Sequence, residues 1–289
     1  MNPWILAARP RTLGAAIIPV LAGAALAFAA GALDPVVTSL ILACAILIQI
    51  ATNYFNDAID HAKGADTAER LGPVRATSAG LLSARAMMTG GSACLVLAAV
   101  LAVPLVLRGG WPILALGLLS LILAYAYTGG PAPLAYLGLG EIFVVLFFGI
   151  FAVAGTFFLN TLEISWGSVL AGLQIGLHSS VLLSVNNLRD LETDRAANKQ
   201  TLAARFGLTF ARRENALLVM APFVFGILWL PLGYLWAFLL PLVTLPLAWW
   251  LARACLEAAP ARETNQLLAQ AAALHASFGL LLAFAFLLP

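Results

Sequence analysis

Long apolar runs alternate with short polar ones along nearly the whole chain. A helix that crosses a bilayer needs roughly 20 mostly apolar residues. Nine runs approach that length: Leu13–Leu33, Val36–Asn56, Ala86–Leu107, Trp111–Tyr127, Leu139–Leu159, Trp166–Asn187, Ala216–Leu232, Tyr234–Ala254 and Leu267–Leu288. The fourth and seventh are the shortest. The pattern predicts an all-α membrane protein, a bundle of nine transmembrane helices forming a single intramembrane domain over residues 1–289.

Composition points the same way. The chain is 62% hydrophobic and 10% charged, where a soluble domain is about 45–50% apolar and about 25% charged. Too few charges remain to keep so apolar a surface dissolved. A net charge of +2 gives no footprint for nucleic acid. Cys44, Cys94 and Cys255 are widely spaced within apolar runs, so they read as core-filling residues rather than a disulfide or metal framework. Arg9 and Arg11 precede a long first span rather than a cleavable signal.

Charge also sets orientation. With the N-terminus placed in the cytoplasm and nine crossings, every Lys and Arg except Arg108 falls on the cytoplasmic side, as the positive-inside rule requires. A miscounted span would scatter them. Trp111, Trp166, Trp229 and Trp236 fall near the predicted outer ends, and Trp4, Trp249 and Trp250 near the inner ends, which suggests interfacial belts.

The acidic residues are clustered as well. Asp57, Asp60, Asp66 and Glu69 follow the second span, and Asp190, Glu192 and Asp194 follow the sixth. Span parity brings both groups out on the cytoplasmic face. If the spans continue as helix, Asn56 and Asp60 lie one turn apart, as do Asn186, Asp190 and Asp194. Each segment then offers a row of oxygen ligands.

Carboxylates at this density repel one another unless a cation lies between them. Oxygen ligands without His or Cys suit a hard ion, Mg2+ or Ca2+, and Mg2+ commonly bridges a few carboxylates to substrate phosphates. Lys63, Arg70, Arg75, Arg189 and Lys199 are interleaved with the acids and suit phosphate oxygens. This mixture fits a metal–diphosphate site better than a simple calcium site. The plainer alternative is a pair of solvated loops rich in exposed ion pairs.

Tyr127–Glu141, YTGGPAPLAYLGLGE, is a Gly/Pro-rich turn-forming connection on the same face. Glu141 either joins the site or caps the fifth span. Phe143, Phe147, Phe148, Phe151, Phe157 and Phe158 crowd that span. They read as packing or lipid-facing residues, with some available to line an isoprenoid pocket and face a carbocation. His61, His178 and His275 are isolated, and packing or surface roles fit them best.

NDAIDHAKGADTAERLGPVR (Asn56–Arg75) and NNLRDLETDRAANKQTLAARFG (Asn186–Gly207) resemble the two aspartate-rich motifs of the UbiA-type intramembrane prenyltransferases. AARPRTL at Ala7–Leu13, the KGAD and RLGPVR parts of the first motif, and YTGGPAPLAYLGLGE resemble the menaquinone-pathway branch, the dihydroxynaphthoate polyprenyltransferases. The resemblance covers the chain to about Gly207; the last three spans match only in number and hydrophobicity.

The resemblance implies a central cavity whose mouth, capped by the two motifs, opens to the cytoplasm of a bacterial plasma (inner) membrane. It implies Mg2+ held by Asn56, Asp60, Asp190 and Asp194, with Asn186 nearby and Asp66 completing the first motif. Lys63, Arg189 and Lys199 are the implied diphosphate contacts, Lys63 being grouped with the catalytic aspartates. Arg75, Asn187 and Tyr127 are further candidate substrate contacts. Gly64 stands where the broader superfamily has an Asp, so Asp66 has the weaker claim among the ligands. The implied reaction moves a polyprenyl group from its diphosphate to 1,4-dihydroxy-2-naphthoate with decarboxylation, giving demethylmenaquinol. A prenyltransferase using 4-hydroxybenzoate or another aromatic acceptor would share the metal chemistry. A secondary transporter would place its carboxylates near the bilayer midplane rather than at span ends.

Overall fold

The computed structural model describes residues 2–64, 71–131 and 133–288. The longer helices among the described residues are α1 (Pro10–Ala29), α2 (Pro35–Ala62), α3 (Ala84–Gly109), α4 (Trp111–Ala126), α5 (Gly140–Thr161), α6 (Trp166–Arg189), α7 (Leu208–Gly226), α8 (Leu235–Glu257) and α9 (Thr264–Ala285), with short helices in the connections. A short helix, Pro3–Ala8, precedes α1, and no strand occurs among the described residues. Seven of these helices are long and apolar enough to cross a membrane. The two outside that group are α4, with 16 residues, and α7, whose first turns carry Arg212, Arg213 and Glu214.

Several helices outrun the apolar runs that predict them. α2 continues from Asn56 to Ala62 and α7 begins eight residues before Ala216. Hydropathy marks only the part suited to hydrocarbon, whereas backbone hydrogen bonding continues wherever no breaker intervenes. Starts are set by caps. Asp34 accepts from the Val36 and Val37 amides at the head of α2, Ser83 from Ala86 and Ser165 from Ser168. Irregular turns have local causes too. Pro241, which lacks an amide hydrogen, lies in a 3-10 stretch of α8 over Leu240–Thr244.

The first four helices pack in sequence, with α2 closely on α3, and α4 on both. α6 is the central post, flanked by α5, α7, α9 and α1. Small residues allow the closest approaches, as packing between apolar helices requires. A Cβ on Gly23 of α1 would lie 2.5 Å from the Val153 carbonyl oxygen and 2.8 Å from Thr156 Cβ. The π-helical turn Leu146–Ile150 in α5 brings Gly149 against Gly172 and Gly176 of α6, where a Cβ would lie 2.5 Å from the Gly176 Cα. Gly149→Ala is therefore expected to destabilise the protein by about 1–3 kcal/mol. Gly117→Ala, whose Cβ meets nothing within 4 Å, serves as the control. Thermal unfolding in detergent reads the difference, and equal melting of both variants would contradict this helix contact.

Two single residues depart from simple expectation. Trp229 is fully buried and donates its indole N–H to Gln174 Oε1 at 2.8 Å, so it is a core residue rather than part of a belt. Trp111 and Trp166 are 78% and 80% exposed, as a belt requires. Arg108, the basic residue that breaks the charge bias, donates to the Leu159 and Asn160 carbonyls at the C-terminal end of α5 and lies 3.9 Å from Asp34. A cation on orphan helix carbonyls is favourable at that position.

Candidate active site

The polar end of α2 is positioned from both sides. Asn53 donates to the Ala8 carbonyl and to Thr12 Oγ1, tying α2 to the chain entering α1. Asn56 Oδ1 accepts from Arg9 Nη2 at 2.9 Å, and its Nδ2 donates to Thr128 Oγ1 at 3.1 Å. Asp57 is almost fully buried and accepts from the Ala76 and Thr77 amides at 3.1 and 3.0 Å. It thus anchors the returning end of the first motif. Asp60, one turn on from Asn56, has Oδ2 3.7 Å from Arg75 Nη2. Lys63 donates to the Thr128 carbonyl at 2.8 Å. Asp66, Glu69 and Arg70 lie outside the described residues.

The second motif is not one uninterrupted helix. α6 ends at Arg189, Asp190 is its C-cap, and a separate short helix runs Leu191–Ala196. The Asp194 amide still donates to the Asp190 carbonyl at 2.7 Å, which preserves the spacing of four. Asn186 turns its amide nitrogen to its own helix, donating to Leu182 O. Asn187 points elsewhere and donates to Glu141 Oε1 at 2.7 Å. Arg189 is 2% exposed; its Nε and Nη2 bond both oxygens of Asp190 at 2.7 and 2.6 Å, and its Nη1 bonds Asn265 Oδ1 at 2.8 Å. Asn265 Nδ2 in turn bonds the Leu71 carbonyl of the first motif. Arg189, a candidate phosphate contact by sequence, thus has its guanidinium engaged by neighbouring protein groups.

The connection between α4 and α5 folds over this face. The Ala135 amide bonds the Tyr127 carbonyl at 2.9 Å and the Gln200 amide bonds the Tyr136 carbonyl at 3.2 Å. The Tyr136 ring lies under Lys63, whose Nζ is 4.3 Å from its centroid, and near Lys199 Nζ at 5.9 Å. Its hydroxyl is buried beside Asp60. Burial first, then the Asp60 and Asp194 charges, push the phenol up to about 12. Lys199 Nζ lies 3.4 Å from Asp194 Oδ1. A small polar pocket of about 40 Å3 is bounded by Asn56, Tyr127, Glu141, Asn187, Lys199 and Thr201.

The two motifs converge electrostatically. Asp194 is buried, and its carboxyl is raised to about 6. Burial is the main cause, Lys199 opposes it, and the charges of Asp190 and Asp60 add to it. Among the described residues, no three Asp, Glu, His or Cys side chains form a ready-made metal cage. The Asp194 carboxyl beside the Asp190 and Asp60 charges, with Asn oxygens on the same two segments, suits a hard cation completed by ligands from elsewhere.

Beneath the polar end lies an apolar cavity of about 440 Å3. Phe143, Phe147, Phe148 and Phe151 of α5 line one wall, and Phe147 stacks with Phe143 and meets Phe151 edge-on. Tyr127 borders both the cavity and the polar pocket. α4 does not pack closely on α5, and the cavity lies between them. Leu105, Ile113 and Leu159 line its far end.

An acidic mouth over an aromatic-walled apolar cavity in a helical membrane bundle defines the class. The chain belongs to the UbiA prenyltransferase family, which it matches over residues 16–278. With its apolar helices, it is an integral membrane protein. It is similar to the 1,4-dihydroxy-2-naphthoate octaprenyltransferase of Haemophilus influenzae, at 36% identity over 76% of this chain and 74% of that one. The Escherichia coli enzyme of the same name is 37% identical, again over 76% and 74%. The Mycobacterium tuberculosis one is 39% identical over 71% and 70%. The fold is shared with a UbiA homolog from Archaeoglobus fulgidus bound to DMAPP and Mg2+, with a TM-score of 0.63, 15% identity and 98% of each chain covered. It is also shared with an apo UbiA homolog from Aeropyrum pernix K1, with a TM-score of 0.68, 16% identity and 91% and 96% covered.

Sequence reading singles out most of the groups at this mouth but misses Tyr136, Thr128 and Asn265. Tyr136 sits in a stretch read as a turn-forming loop and as part of the resemblance, with no role for that residue itself, and Asn265 follows the resembling region. Their roles depend on which segments meet in space.

Proposed function

We propose that this protein transfers a polyprenyl group from polyprenyl diphosphate to 1,4-dihydroxy-2-naphthoate, with decarboxylation, giving demethylmenaquinol. The observation that carries the reading is the acidic mouth above the aromatic-walled cavity, in a chain 36–39% identical to dihydroxynaphthoate octaprenyltransferases. The enzyme works as one intramembrane domain with nine crossings, α4 and α7 included. Its mouth and N-terminus face the cytoplasm of a bacterial inner membrane, which the charge distribution supports.

Asn56, Asp60, Asn186, Asp190 and Asp194, with Asp66, would hold Mg2+. When bound, the ion supplies charge neutralisation at the leaving diphosphate. Lys63, Lys199 and Arg75 face the same region and stabilise negative charge as it grows on the diphosphate oxygens. Arg189 fixes the Asp190 carboxylate. The phenylalanine wall excludes water from the allylic cation and offers it ring faces. The gap between α4 and α5 admits the isoprenoid tail from the bilayer. Tyr127 and Asn187 border the polar pocket beside the cavity and would contact the aromatic acceptor.

The test is direct. Membranes containing the protein are incubated with Mg2+, a polyprenyl diphosphate and either dihydroxynaphthoate or 4-hydroxybenzoate. Prenylated naphthoquinol is expected with the first acceptor only. Product from 4-hydroxybenzoate alone would reassign the acceptor. Substrate flux across proteoliposomes without product would favour a transporter.

A further inference from the structure

We propose that Tyr136 is a positioning residue that sets the two mouth lysines to receive the diphosphate. The proposal deepens the reading above and rests on it. Lys63 ends α2 and Lys199 follows the second motif, so they come from distant parts of the chain, and the Tyr136 ring lies close to both, at 4.3 and 5.9 Å. Two ammonium groups brought to one place repel each other, and an aromatic face is an attractive surface that does not neutralise them. A carboxylate in the same position would hold the lysines but compete with phosphate. Asp194 already pairs with Lys199 on one side, and the Thr128 carbonyl takes one Lys63 proton. An ammonium has three donors, so each lysine keeps hydrogens for a ligand.

The residue is also tied to the second motif through its backbone, and its hydroxyl reaches the first. Its carbonyl accepts from the Gln200 amide, next to Lys199, and its hydroxyl is buried beside Asp60. Ring, hydroxyl and carbonyl therefore each meet a different part of the mouth. A tyrosine serving only to pack would be surrounded by apolar groups instead.

The test separates ring from hydroxyl and binding from turnover. Purified protein in detergent with saturating Mg2+ is titrated with inorganic diphosphate by calorimetry, and KM is measured for each substrate. Tyr136→Leu is expected to weaken diphosphate binding about tenfold or more, a change of 1.4 kcal/mol. It should raise KM for polyprenyl diphosphate similarly and leave KM for the acceptor unchanged. Tyr136→Phe, which keeps the ring, should stay within about threefold of wild type. If the Leu variant does not fold, Tyr136→Met replaces it in the same titration. Wild-type diphosphate affinity in the folded Leu or Met variant overturns the proposal, as does a Phe variant as weak as either. A wild-type protein that does not bind Mg2+–diphosphate overturns the underlying metal–diphosphate reading instead.

Discussion

Asp60→Ala is expected to reduce prenyl transfer at least about a thousandfold while the protein remains inserted and folded. Removing one preorganised charge-stabilising group from an active site commonly costs a factor of about 10²–10³, and this aspartate would also help hold the Mg2+. It lies one turn from Asn56, 3.7 Å from Arg75 and beside the Tyr136 hydroxyl. It also contributes to the charge felt at Asp194. Taking it away relieves repulsion with Asp194 but also removes the carboxylate beside buried Arg75, so its two effects on stability oppose each other. Asp57→Ala is the informative contrast. Asp57 caps the Ala76 and Thr77 amides, so its loss should lower stability by about 1–3 kcal/mol through the anchoring of the first motif. Turnover near wild type in both Asp60→Ala and Asp190→Ala would refute the two-motif metal site.

Arg189→Ala should be the most destabilising single change at the mouth, by about 3–5 kcal/mol. Its guanidinium is nearly inaccessible and is bonded at three nitrogens, to both oxygens of Asp190 and to Asn265. Truncation leaves Asp190 without its partner and breaks the link through Asn265 to Leu71. A residue whose main task was to grip diphosphate would behave differently, raising KM with little change in melting. Thermal unfolding in detergent beside a KM for polyprenyl diphosphate distinguishes the two. Arg189→Lys should recover only part of the stability, because an ammonium cannot reproduce the fork that meets both carboxylate oxygens. Unaltered melting of Arg189→Ala would show that the buried pair does not matter to the fold.

These two predictions concern neighbouring charged groups that look alike in the sequence. Arg75, Arg189 and Lys199 all read as phosphate contacts there, since each is a cation beside an acidic motif. Their surroundings differ. Lys199 is partly exposed at the polar pocket, Arg75 is buried near Asp60, and Arg189 is paired away from it. Asp57 and Asp60 differ in the same way. Residues three apart are neighbours on one helix face, so what separates the backbone anchor from the group facing the mouth is what folds against each: the Ala76 and Thr77 amides on Asp57, Arg75 and Tyr136 beside Asp60.

The sequence by itself determined that the chain is a helical membrane protein, where its apolar segments lie, and that two segments between them carry closely spaced Asn and Asp oxygens. Those properties follow from composition and spacing, which are local quantities set by the cost of exposing polar groups to hydrocarbon. Tertiary structure decided that α2 and α6 bring their polar ends together, that Trp229 is buried, and that the Tyr136 ring lies near two lysines. It also turned Arg189 toward Asp190. Which side chains meet depends on helix packing through contacts such as Gly149 against Gly172 and Gly176, and such pairings leave no mark in the order of hydrophobic and polar residues.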